Sequence, residues 1–280
     1  MRLHYRLLNV FTRTGETLSG NPLCVFEDGR SLDTATMQAL ALQFNLSETT
    51  FILPSTQATA GFRIFTPSYE MPFAGHPTLG TAAVVADLQG TGASLQLELP
   101  ARIITVTRDA ELWELCAPKG NSRPSACSPT TLAGALGLDP QDLAGDALWV
   151  DTGVEQLVVP VANPAALARV RLGWDGLTWI TADGTRAQVY LFAEVSPGRL
   201  KARFFFDKGE SVLEDPATGS ATANLGGWYQ AMGWPTPLER DIEQGEATGR
   251  PASLRLRIDA AGSIFVAGQV AELGRGFIDL

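Results

Sequence analysis

A motif that occurs twice constrains this chain more than any other feature. EMPFAG (70–75) and EDPATG (214–219) share Glu-x-Pro-x-x-Gly, 144 residues apart, and upstream of each lies Arg-x-Phe, as Arg63/Phe65 and Arg203/Phe205, 140 residues apart. Half of this 280-residue chain is 140. The pattern predicts an internal duplication: two α+β halves, each with strands around a buried helix that begins at the motif. Chance recurrence of a Gly/Pro turn is the plainer alternative.

The segments that follow the motifs support two buried helices. PTLGTAAVVADL (77–88) and SATANLGGWYQAM (220–232) are small and apolar nearly all round, which suits a helix enclosed by protein rather than one on a surface. Further helices are expected over Asp33–Phe44, Ser128–Leu136 and Pro164–Val170. Short apolar runs between Gly, Pro and Asp, such as LCVF, FRIF, RIITVT, QLVVPV, QVYLF and SLRLRI, read as strands. A linker is expected near Pro118–Pro129. This predicts an N-terminal domain over 1–118 and a C-terminal domain over 119–280, with the last strands able to pack back on the first.

A net charge of −9 argues against nucleic-acid binding. The opening MRLHYRLLNVF lacks a leader pattern and no run approaches the length of a membrane span, so a cytoplasmic location is expected, with no membrane partner. Cys24, Cys116 and Cys127 lack paired spacing, which argues against a disulfide framework or a metal site. No GxGxxG, Walker loop, HExxH or GxSxG is present. Cofactor-free acid/base chemistry is the class left standing.

Two helix N-termini with unpaired N–H groups suit a small carboxylate or another anion. Near them the chain offers His76 from the first motif, and Asp215, Thr218 and Ser220 from the second. Asn21 in SGNPLCVF and Glu48 in NLSETTF lie in other polar turns. Each has a plainer reading: His76, Thr218 and Ser220 as caps, Asp215 and Asn21 as turn formers, Glu48 as a solvated carboxylate.

Taken in order, NVFTRTGETLSGNPLCVF (9–26), LSETTFILP (46–54), FRIFTPSYEMPFAGHPTLGTA (62–82), EDPATGSATANL (214–225) and GRPASLRLRI (249–258) resemble the phenazine-biosynthesis PhzF family. The resemblance covers the whole chain and implies the diaminopimelate-epimerase-like fold: two similar domains, each a strand-rich barrel around a central helix, with the active site in the cleft between them. It implies an isomerase without cofactor or metal, and a homodimer. It makes Glu48 the proton shuttle, and His76 and Asp215 the groups that hold and polarise the substrate, with His76 or Asp215 protonated. Asn21, Ser47, Gly75, Gly219 and Ser220 are implied in binding a small carboxylate-bearing substrate.

Ala74 and Thr218 stand where related epimerases and racemases carry their two cysteines, which argues against two-thiol racemisation. Asp207 and Ser211 depart from the usual PhzF pattern, at positions expected near the substrate. Two alternatives stay open on the residues alone: a serine-type hydrolase with Ser220, His76 and Asp215 as a triad, and a small-acid binding protein without catalysis.

Overall fold

Period-two alternation along the strands decides which side chains reach each central helix. The computed structural model describes residues 1–100, 102–181 and 188–280. The chain divides into two compact units, residues 1–116 with 267–280, and residues 117–266.

In the first unit β1 (Arg2–Thr12) runs antiparallel to β2 (Asn21–Phe26). Next come α1 (Thr34–Phe44), β3 (Glu48–Leu53), β4 (Ala60–Phe65), the short β5 (Glu70–Met71), α2 (Gly75–Gln89), β6 (Ser94–Leu99), β7 (Arg102–Asp109) and β8 (Leu112–Cys116). Here β3 is parallel to β2 and antiparallel to β4, while β6 is parallel to β4.

The second unit repeats the plan. It contains β9 (Asn121–Pro124), α3 (Pro129–Ala135), β10 (Leu148–Asp151), β11 (Glu155–Pro160), α4 (Pro164–Arg169), α5 (Trp174–Ile180), β12 (Gln188–Ser196), β13 (Arg199–Lys208), β14 (Ser211–Asp215), α6 (Gly219–Ala231), β15 (Leu238–Gln244), β16 (Ala252–Ile258) and the start of β17 (Ile264–Asp279). Again β12 is parallel to β11 and antiparallel to β13, and β15 is parallel to β13. From Ala267 onward β17 belongs to the first unit, pairing with β1 from Gln269 opposite Thr12 to Asp279 opposite Arg2.

The duplication extends to single interactions. Phe65 lies opposite Glu70, and Phe205 opposite Glu214. In both units the arginine two residues earlier forks onto that glutamate, Arg63 on Glu70 at 2.7 and 2.5 Å and Arg203 on Glu214 at 3.0 and 2.7 Å. Each guanidinium also lies over its phenylalanine ring, at 5.0 and 4.8 Å. The two-pronged geometry fixes the hairpin leading into each central helix. The second hairpin is longer, and Asp207 and Ser211 sit exposed at its far end.

Both faces of β3 and β12 are covered. Phe51 joins Met37, Leu40 and Ala41 of α1 in one core, while Thr50, on the opposite face, bonds Thr81 of α2 at 2.8 Å. Likewise Val189, Leu191 and Ala193 join the core under α3, α4 and α5, whereas Phe192 meets Trp228 of α6 edge-on. The seven-residue α5 escapes sequence reading because it has no side-chain cap. Its Gly176 passes the Ala135 carbonyl so closely that a β-carbon would lie 2.5 Å from it, a tertiary contact rather than a local signal.

Strands close in on the central helices where side chains are small. A β-carbon on Gly80 would lie 2.4 Å from Leu23 Cδ2, and one on Gly226 2.8 Å from Ile264 Cγ2. Among the described residues no helix is long and apolar enough to cross a membrane. Overpacking predicts that Gly80→Val lowers stability by about 1–3 kcal/mol. Gly134→Ala, in the open on α3, should raise it by roughly 0.5–1 kcal/mol; denaturant midpoints of both variants check the pair.

Candidate functional site

In the first unit Glu48, Thr50 and Ile52 alternate onto the α2 face of β3. Glu48 is the strand's first residue and His76 the second of α2, and His76 Nε2 lies 3.3 Å from Glu48 Oε2. Both side chains are largely enclosed, at 7% and 15% exposure. The other ring nitrogen, Nδ1, donates to the carbonyl of Pro22 on β2, next to buried Asn21. Burial pushes the imidazole pKa down to about 3, against the Pro22 bond that raises it. Burial therefore favours the neutral ring, where the resemblance allows either a protonated His76 or a protonated Asp215. With Nδ1–H committed, Nε2 turns a lone pair toward Glu48 Oε2.

The entrance of α2 differs from those of the outer helices. Asp33, Ser128 and Asn163 cap α1, α3 and α4 through their side chains. Ala74 and Thr218, at the N-cap positions of α2 and α6, make no such bond, and neither first turn holds an acidic residue. The first-turn N–H groups thus keep their capacity for an anion. Gly75 opens α2; Ser47 precedes Glu48 and is exposed.

In the second unit Asp215 ends β14 and its Oδ2 accepts from the Thr218 hydroxyl at 2.5 Å. Gln244 of β15 locks this turn, donating to the Asp215 carbonyl at 2.9 Å and to Thr218 Oγ1 at 3.0 Å, and accepting from Thr218 N–H at 3.3 Å. Gly219 opens α6. Ser220 is its second residue, not its cap, and its Oγ accepts from Gln156 of β11 at 3.1 Å.

Three residues hydrogen-bonded around these candidates escaped the sequence reading: Gln156, Gln188 and Gln244. For Gln188 a signal existed, because it lies 140 residues after Glu48, at the spacing of the Arg-x-Phe repeat. Nothing among the described residues supports the hydrolase alternative: the Ser220 hydroxyl oxygen is held by Gln156 at 3.1 Å, and His76 faces Pro22 and Glu48. Cys24 is buried, its thiol pushed up by burial. Cys116 and Cys127 lie on β8 and just before α3, away from the glycine loops. Among the described residues no group of three or more His, Cys, Asp or Glu is arranged to hold a metal ion.

Comparison with known proteins places this geometry. Residues 8–273 match the family described as phenazine biosynthesis-like protein. An uncharacterised isomerase of Pasteurella multocida is 36% identical over 97% of this chain and 92% of its own. The trans-2,3-dihydro-3-hydroxyanthranilate isomerase of Pseudomonas aeruginosa is 32% identical over 98% and 97%. The crystal structure of a PhzF-family phenazine biosynthesis protein from Bacillus anthracis superposes with a TM-score of 0.87 at 23% identity, covering both chains fully. The fold is accordingly the α+β, diaminopimelate-epimerase-like one, two similar domains each a strand-rich barrel around a central helix. With the repeated motif, the matched fold and these relatives in agreement, the chain belongs to the phenazine biosynthesis-like PhzF family and is an isomerase.

Proposed function

We propose that the enzyme isomerises a small carboxylate-bearing metabolite by moving a proton between carbons, without a cofactor, and that Glu48 carries the proton. The observation behind this reading is the enclosed Glu48–His76 pair beside an uncapped helix entrance. A carboxylate that faces an imidazole lone pair in a water-poor site gains by taking a proton, as a base acting on a C–H bond must. Glu48 takes that proton on Oε1, the oxygen turned away from His76, and returns it from there to a different carbon.

The electron pair left on carbon moves into the substrate's carboxylate or carbonyl. N–H groups at the start of α2, beside Glu48, suit the oxygen on which that charge collects. In this reading His76 holds Glu48 in place as a neutral partner. Asp215, braced by Thr218 and Gln244, orients a polar substituent, and Asn21, Ser47, Gly75, Gly219 and Ser220 line the binding positions. The relative named for trans-2,3-dihydro-3-hydroxyanthranilate supplies the first compound to try.

Deuterium incorporation from heavy water, followed by mass spectrometry, tests the proposal on that compound and a panel of small unsaturated carboxylic acids. Wild type is expected to label one C–H position and Glu48→Gln to lose the label by about 10²-fold or more; label that persists in Glu48→Gln removes Glu48 as the shuttle.

Stability carries a second signature. Histidine ordinarily titrates at 6.5, and the folded value here is near 3, so between these values the unfolded chain binds a proton that the folded chain refuses. The contribution of neutral His76 is fully present above 6.5 and declines as pH falls, by up to ~1.4 kcal/mol per pH unit. Unfolding free energies at about pH 7 and about pH 5 should therefore fall further apart in wild type than in His76→Gln.

A further inference from the structure

The inner face of the second unit carries a chain of hydrogen bonds whose direction is set by the backbone. The N–H of Thr152 can only donate, and it donates to Asn224 Oδ1 at 2.8 Å, joined by the Thr152 hydroxyl at 2.7 Å. The NH2 group of Asn224 must then face the Val154 carbonyl, at 2.9 Å, and Gln156 Oε1, at 2.8 Å. That in turn points the NH2 group of Gln156 at Ser220 Oγ and Gln188 Oε1, both at 3.1 Å. Thr152, Gln156 and Asn224 are 4%, 1% and 0% exposed, so no solvent competes for these bonds.

The direction has a consequence at the half-buried end. Ser220 and Gln188 both receive a hydrogen from Gln156, so among the described residues the Ser220 hydroxyl proton and the Gln188 NH2 group are left to donate elsewhere.

The internal repeat says where these donors stand. Strand register matches Gln188 to Glu48, and the motif spacing matches Ser220 to His76. The supporting positions match as well. Gln156, Asn224 and Thr152 occupy the places of Leu23, Gly80 and Val10, which pack as an apolar group in the first unit. One unit thus presents two titratable groups, and the other presents two neutral donors at the same positions.

With Ser220 taken from the reading above as a binding residue, we propose that Gln188 is a second donor to the same substrate oxygen, and that Gln156 and Asn224 are positioning residues that keep both donors turned outward. Neutral donors aimed in advance stabilise negative charge on that oxygen without reorganising. The ligand class rests on the isomerase reading above; the donor direction does not.

Benzoate is the probe, titrated into the full-length protein while the side-chain amides are followed by 15N NMR. Benzoate is expected to shift the Gln188 NH2 signals. Gln156→Glu replaces the inner donor by an acceptor and turns the Ser220 hydroxyl inward, which should weaken benzoate about 10-fold or more near neutral pH. Affinity should recover as pH falls and the introduced carboxylate takes a proton, a pH dependence that a packing defect would not produce. Gln188→Ala, at a less enclosed position, should weaken benzoate by a similar ~10-fold at every pH. Unshifted Gln188 signals, or affinities within about twofold of wild type in both variants, overturn the proposal. Benzoate binding through Gln188 without deuterium exchange on any acid would instead leave the donor pair standing and remove the isomerase reading. Exchange together with an unshifted Gln188 would do the reverse.

Discussion

A helix enclosed by its own sheet has almost nowhere to put a polar side chain, and most of this structure follows from that constraint. Along α2 and α6 the enclosed residues are Ala, Gly, Thr, Leu and Val with few exceptions, because strands approach to distances at which a single added methyl collides. Polar chemistry is pushed to the entrance of each helix. There the first turn has no side-chain cap from Ala74 or Thr218, and the preceding hairpin is held by a forked Arg–Glu pair. Glu48 and His76 meet at one such entrance, and Asp215, Thr218 and Ser220 gather at the other.

Duplication then lets one scaffold do two jobs. Burial that is neutral for Leu23 and Gly80 in the first unit would be costly for Gln156 and Asn224 in the second were their amides not fully paired. They are paired, and the pairing has a direction imposed by Thr152 N–H and the Val154 carbonyl. In the first unit burial acts on a titratable group instead and keeps the His76 imidazole uncharged. Burial is the common constraint on the Glu48–His76 pair in one half and on the directed amide chain in the other.

Much of the fold was legible because its signals are local or periodic. The outer helices α1, α3 and α4 form where local pattern predicts them, behind the side-chain caps Asp33, Ser128 and Asn163, and the all-round apolar runs mark the two central helices. By contrast, α5 has no side-chain cap to mark its start, and its close passage over Ala135 at Gly176 is a contact that no window of sequence contains. The path of β17, shared between units, is equally invisible locally, since its partner strand β1 lies at the other end of the chain.

The sequence by itself determined the repeat, the two enclosed helices and the membership of Glu48, His76, Asp215 and Ser220 in a set of candidates, because spacing and residue type carry that information. Only the tertiary structure decided how those candidates are used. It brought Glu48 within 3.3 Å of His76, removed water from the imidazole so that it stays neutral, and made Thr218 a donor to Asp215 rather than a helix cap. Charge state and hydrogen-bond direction depend on what surrounds a group in space, and residues far apart in the chain supply those surroundings.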